Sequence, residues 1–121
     1  MRVKNYQELK IWQKGMNLAI LIYKVCEKLP SREKFGLMSQ MQRAAISIPV
    51  NIAEGWSRKY TKEFIQFLRI ALGSLAEVET LIILCENLRY LKRREVVEAR
   101  GHINELQKMI YVMVKSLTSR L

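Results

Sequence analysis

The sequence predicts an all-α protein, an antiparallel up-down-up-down four-helix bundle. Three observations predict it. Apolar residues recur every three or four positions through four long segments, which is the period of an amphipathic helix. Only two prolines and five glycines interrupt 121 residues, which leaves room for few turns. The links between the periodic segments are short, and short links place consecutive helices antiparallel. The length suits a single domain over 1–121.

Helix 1 is expected over 6–29. Leu9, Trp12, Met16, Ala19, Tyr23 and Cys26 step by three and four and form its expected core row. Pro30 ends it, because the residue before a proline is pushed out of the helical region. At about 100° per residue, Lys10, Lys14, Asn17, Lys24 and Lys28 share one arc. This basic stripe reads either as a solvated face or as a phosphate-binding surface; the scarcity of acid along it favours the second.

Helix 2 is expected over 31–57, with Ser31 as N-cap and Glu33 facing the positive helix end. Met38, Met41, Ala45, Ile48, Ile52 and Trp56 form its core row. Pro49 removes one rung of the hydrogen-bond ladder and is expected to kink the helix near Ala45. A break, with Ser47 capping a new segment, is the alternative. The opposite arc carries Glu33, Gly36, Gln40, Arg43, Ser47, Asn51, Glu54 and Arg58, so both signs of charge alternate with hydroxyl and amide groups.

Helix 3 is expected over 61–87, with Thr61 as cap and Glu63 in the first turn. Phe64, Phe67, Ala71, Val78, Ile82 and Cys85 give the core face. A second apolar row holds Ile65, Leu72, Ala76 and Ile83, and a third holds Ile70, Leu81, Leu84 and Leu88. A helix apolar almost all round must be buried almost all round. The second row therefore predicts a subunit interface of a homo-oligomer.

Helix 4 is expected over 92–118. Val96, Ala99, Ile103, Leu106, Ile110, Met113, Leu117 and Leu121 make one stripe. Arg93, Arg100, Asn104, Lys108, Tyr111 and Lys115 lie across from it. Tyr111 among cations suits stacking with a base, or packing against lysine stems. Gly15, Gly73 and Gly101 fall inside helices at a cost of about 1 kcal/mol each relative to alanine. Close helix approach at those points would offset it.

The formal net charge is +10, with no aspartate and one histidine, and the pI is near 9.9. Such a chain attracts polyanions, so RNA or DNA is the expected partner. The expected contacts are Lys10, Lys14, Lys24 and Lys28 on helix 1 and Arg93, Arg100, Lys108 and Lys115 on helix 4. Cys26 and Cys85 lie far apart in apolar runs, which fits small buried hydrophobes in a reducing cytoplasm. Residues 1–10 are polar and mixed, so no signal peptide is expected. No apolar run reaches about 18 residues, so no membrane span is expected.

Catalytic and cofactor chemistry has no foothold in the sequence. His102 has no cysteine or aspartate at ligand spacing, and there is no phosphate-binding glycine loop or nucleophile elbow. Glu77 and Glu79 are two apart on a helix and point in different directions. A non-enzyme without cofactor or metal is the expectation.

The run Gln42-Arg43-Ala44-Ala45-Ile46-Ser47-Ile48-Pro49-Val50-Asn51-Ile52-Ala53-Glu54-Gly55 resembles the signature of four-helix bundle proteins encoded in intervening sequences of bacterial 23S ribosomal RNA genes. Leu9-Lys10-Ile11-Trp12-Gln13 agrees with that family, as do Pro30 followed by Glu33 and Phe35-Gly36-Leu37, and the run from Phe67 to Glu77. The resemblance implies a pentameric barrel of bundles. It also implies similarity to the accessory variability proteins of diversity-generating retroelements, basic pentamers that bind nucleic acid and a reverse transcriptase. Under it, Arg43, Ser47, Asn51 and Glu54, with Glu77, read as a structural polar network more than a ligand site, Arg43 pairing with Glu54 or Glu77. The remaining alternatives are a reverse-transcriptase accessory protein and a protein-interaction scaffold with no nucleic-acid role.

Overall fold

Asn5 starts the first element: its side chain accepts the Gln7 N–H at 2.8 Å and caps a short 3-10 turn at Tyr6–Glu8. Leu9 then leaves helical geometry, with φ −71° and ψ 128°, and buries its side chain in the core. Helix α1 therefore runs Lys10–Cys26, shorter at both ends than expected. In this computed structural model residues 4–121 are described; residues 1–3, on which the signal-peptide expectation partly rests, lie outside them.

The buried row of α1 is Ile11, Gly15, Leu18, Ile22, Val25 and Cys26; of the expected row only Leu9 and Cys26 are buried, with Trp12 and Ala19 half-buried against the core. Met16 and Tyr23 of the expected row are exposed. The helix carries two apolar rows about 100° apart, and period alone does not say which one meets the neighbours.

After Pro30 the chain makes a 3-10 turn at Ser31–Glu33, and α2 starts only at Leu37, running to Trp56. Ser31 does not cap it. Glu33 does so from outside, one carboxylate oxygen accepting the Leu37 N–H at 3.2 Å and the other the Tyr90 hydroxyl at 3.0 Å. A carboxylate at the positive helix end is the favourable placement. Helix α2 continues without a break through Pro49, so Ser47 begins no new segment. Met41, Ala45, Ile48 and Ile52 are buried as expected, joined by Ala44, Pro49 and Gly55.

Helix α3 spans Thr61–Asn87, matching expectation; Thr61 is its first residue, not its cap. Leu68 and Leu75 lie at its centre with no exposed surface, while Phe67 is only half-buried. Helix α4 spans Arg93–Thr118, with Glu95 accepting the Lys92 N–H at 2.9 Å at its start. Val96, Ala99, Ile103, Leu106 and Ile110 are buried; Leu121 is exposed. Each helix packs against two neighbours, in the order α1, α2, α3, α4 and back to α1. No strand occurs among the described residues.

The close approach of helices falls at Gly55, not at the three glycines expected. A Cβ there would lie 2.6 Å from Phe67 Cβ, whereas Gly73 and Gly101 have nothing within 4 Å and Gly15 only ordinary contact.

Cys26 and Cys85 are buried free thiols, Cys85 Sγ lying 3.8 Å from Met41 Sδ. Burial pushes both up to about 11. The thiolate fraction at neutral pH then falls about a hundredfold below that of a thiol titrating at its ordinary value. Iodoacetamide should label the native protein at least that much more slowly than the denatured one, by mass spectrometry; fast native labelling would contradict the buried placement.

Candidate nucleic-acid interface

An exposed cation that already faces a carboxylate offers a polyanion less than an unpaired one. Four of the eight expected contacts are so occupied. Lys14 pairs with Glu105 at 2.9 Å and Lys28 with Glu95 at 2.6 Å, both across the α1–α4 seam. Arg93 pairs with Glu86 and Arg100 with Glu79, both at 3.1 Å across the α3–α4 seam. The Lys28 ammonium, then the Lys92 N–H, hold the Glu95 carboxyl below its ordinary range, and Lys14 does the same to Glu105. These acids lie on other arcs or other helices, so no single helical wheel shows them beside the lysines.

The remaining four, Lys10, Lys24, Lys108 and Lys115, are exposed and make no ion pair among the described residues. Lys24 stands apart, on the rim of a cleft between α1 and α2. Near the start of α1, Lys10, Lys108 and Arg120, together with Glu8, edge a cleft of about 720 Å³ floored by Leu9, Ile11, Trp56 and Phe64. Lys115 lies two turns beyond Lys108 on the outward arc of α4. The exposed Tyr111 has no cation stacked on its ring among the described residues. Arg120 was not foreseen because it follows the last turn of α4; only the antiparallel placement of α1 and α4 brings it toward Lys10.

The polar network forms in part. Asn51 Nδ2 donates to the Ser47 carbonyl at 2.7 Å and to Ser47 Oγ at 2.8 Å, and Ser74 Oγ donates to Ser47 Oγ at 2.9 Å across to α3. Gln40 Nε2 donates to Glu77 at 3.3 Å across the same seam. Arg43 is exposed and pairs with neither Glu54 nor Glu77; Glu54 instead faces Arg58 at 3.8 Å. Arg43 and Glu77 both line a polar cleft of about 550 Å³, too far apart for an ion pair.

The expected interface row is mostly covered by the chain itself. Ile65 is buried beside Thr118 and Leu121 at the end of α4, Leu72 and Ile83 are half-buried, and only Ala76 is open. Surplus apolar surface remains at Ile70, Leu84 and Leu88 of the third row and also lies between α1 and α2. Met16, Ile20 and Tyr23 of α1 and Ile46 and Val50 of α2 are exposed side by side around a cleft of about 540 Å³.

Among the described residues no three His, Cys, Asp or Glu side chains are placed to hold a metal ion, and no helix is long and apolar enough to cross a membrane.

No curated protein matches the chain. Among solved structures it is similar to a protein of unknown function from the S23 ribosomal protein family of Bacteroides thetaiotaomicron. That similarity has 25% sequence identity and a TM-score of 0.81, covering 87% of this chain and 95% of the other. The family model of the 23S rRNA-intervening sequence protein matches residues 7–112. With that match over most of its length, and with the bundle and helix 2 signature described above, the chain belongs to the 23S rRNA-intervening sequence protein family.

Proposed function

We propose that this chain is a non-enzymatic, cytoplasmic, homo-oligomeric accessory protein that binds RNA or DNA through phosphates without reading sequence. The observation that carries the reading is the placement of Lys10, Lys108 and Arg120 around one cleft, with Lys115 two turns further along α4, all exposed and without ion pairs among the described residues, on a chain of net charge +10. Lysine on a flexible stem suits phosphate contact more than base readout. The pentamer implied by the family resemblance would repeat the group around a ring and multiply weak contacts through effective concentration.

Binding to unrelated duplexes, followed by fluorescence anisotropy, tests it. With about four phosphates neutralised per site, log affinity should fall with log salt at a slope near −3.5, from about −0.9 per phosphate. Unrelated sequences should bind alike. A flat response between roughly 50 and 200 mM salt would sink the nucleic-acid reading and favour the protein scaffold.

A further inference from the structure

Phe35 sits in the connection before α2 with 91% of its surface exposed, more than any other large apolar residue described. Among the described residues nothing covers it beyond Lys34, whose Nζ rests 5.6 Å from its ring centre. Solvating a whole phenylalanine is unfavourable, so an aromatic held this way marks a contact surface. On the other side of α2 lies the apolar cleft of Met16, Ile20, Tyr23, Ile46 and Val50. The chain thus carries an unpartnered knob and an unpartnered socket.

We infer that Phe35 of one copy inserts into the α1–α2 cleft of the next copy. The inference rests on the reading of the chain as a homo-oligomer and assigns its interface.

Three observations select a second copy as the occupant. The chain itself supplies the matching aromatic. The α2 side of this face brings little like charge together in a +10 chain, since α2 carries only Arg43 and Glu54 between Leu37 and Trp56. And Glu54, exposed one turn beyond Val50 and held by Arg58 only at 3.8 Å, adds a carboxylate beside the cleft for the Lys34 that accompanies the incoming ring. A polyanion has little to hold in this cleft, whose one cation is Lys24 at the rim.

Knob and socket lie on different sides of α2: Phe35 also edges the α2–α3 cleft, while the socket is at the α1–α2 seam. The contact is therefore heterologous, head to tail. Repeated at each step, such a contact closes a ring where its rotation divides a full turn and otherwise runs on as a filament.

The test uses two variants of the full chain, Phe35→Asp and Ile20→Glu, with light scattering at micromolar concentration. Both positions are exposed, so circular dichroism should stay helical. Each variant alone should be a monomer, because each lacks one half of every contact. Mixed in equal amounts they should form a one-to-one dimer and nothing larger, since one intact knob meets one intact socket. Phe35→Ser and Val50→Glu repeat the two arms with different side chains. A wild-type oligomer that persists unchanged in both variants overturns this assignment and leaves the oligomer reading standing. Monomeric variants that fail to pair when mixed overturn the heterologous contact. A wild type that is itself monomeric overturns the oligomer reading and the assignment with it.

Discussion

Replacing Gly55 by alanine should lower stability by about 1–3 kcal/mol, and replacing it by valine should lower it further. Propensity points the other way, because alanine is favoured over glycine inside a helix by about 1 kcal/mol. Packing wins here. The new Cβ would stand 2.6 Å from Phe67 Cβ and 2.9 Å from Phe64 Cδ1. Phe67 Cβ is the root of its side chain and moves only if α3 moves, so α2 and α3 must separate along their closest contact. Gly73 and Gly101 are the internal controls. With nothing within 4 Å of either, alanine there should gain stability. Urea midpoints at one fixed protomer concentration separate the signs. A Gly55→Ala variant as stable as Gly73→Ala would show that the helices yield at no cost.

Changing Lys10, Lys108, Lys115 and Arg120 together to glutamine should weaken duplex binding on the order of a hundredfold and flatten the salt slope by about three to four. The matched change of Lys14, Lys28, Arg93 and Arg100 removes the same charge from the chain. Those four already face carboxylates within 3.1 Å. Their loss should move the slope by less than about one. The pair of variants separates placement from net charge. Equal losses from both sets would mean that overall charge governs binding and that the group at the start of α1 is no site.

Helices 3 and 4 were legible almost to the residue, because each has one stretch of unbroken period bounded by polar turns. The starts of α1 and α2 were not. There the chain spends residues on 3-10 turns, at Tyr6–Glu8 and Ser31–Glu33, whose local spacing resembles the first turn of an α-helix. The core face of α1 was misassigned because Ile11, Leu18 and Ile22 compete with Trp12, Met16 and Tyr23 as equally periodic rows. The candidate site was half legible. Its cations are visible on a helical wheel, but their carboxylates belong to another helix or another arc, so neutralisation is a property of the packed bundle. Arg43 shows the converse: a pairing expected from neighbouring acids is absent, since Gln40 takes Glu77 and Arg58 faces Glu54. Phe35 was written in the sequence as one element of the family resemblance. Its exposure could not be, since an aromatic in a short connection is as often folded under as left out.

The ion pair between Lys14 and Glu105 joins residues 91 positions apart. The contacts of α1 with α2, α2 with α3 and α3 with α4 are all made between consecutive helices. The bundle is thus three local hairpins and one distant closure, in which the first helix meets the last. The hairpins can form early from neighbouring chain, at small loop entropy. The closure spans most of the sequence and carries the largest loop entropy, and it sets the start of α1 and the end of α4 at the same end of the bundle. Cutting the chain at the Leu88–Leu91 turn and joining its present ends would turn the distant seam into a hairpin and a present hairpin into the closing step. The same four helices would then assemble in a different order.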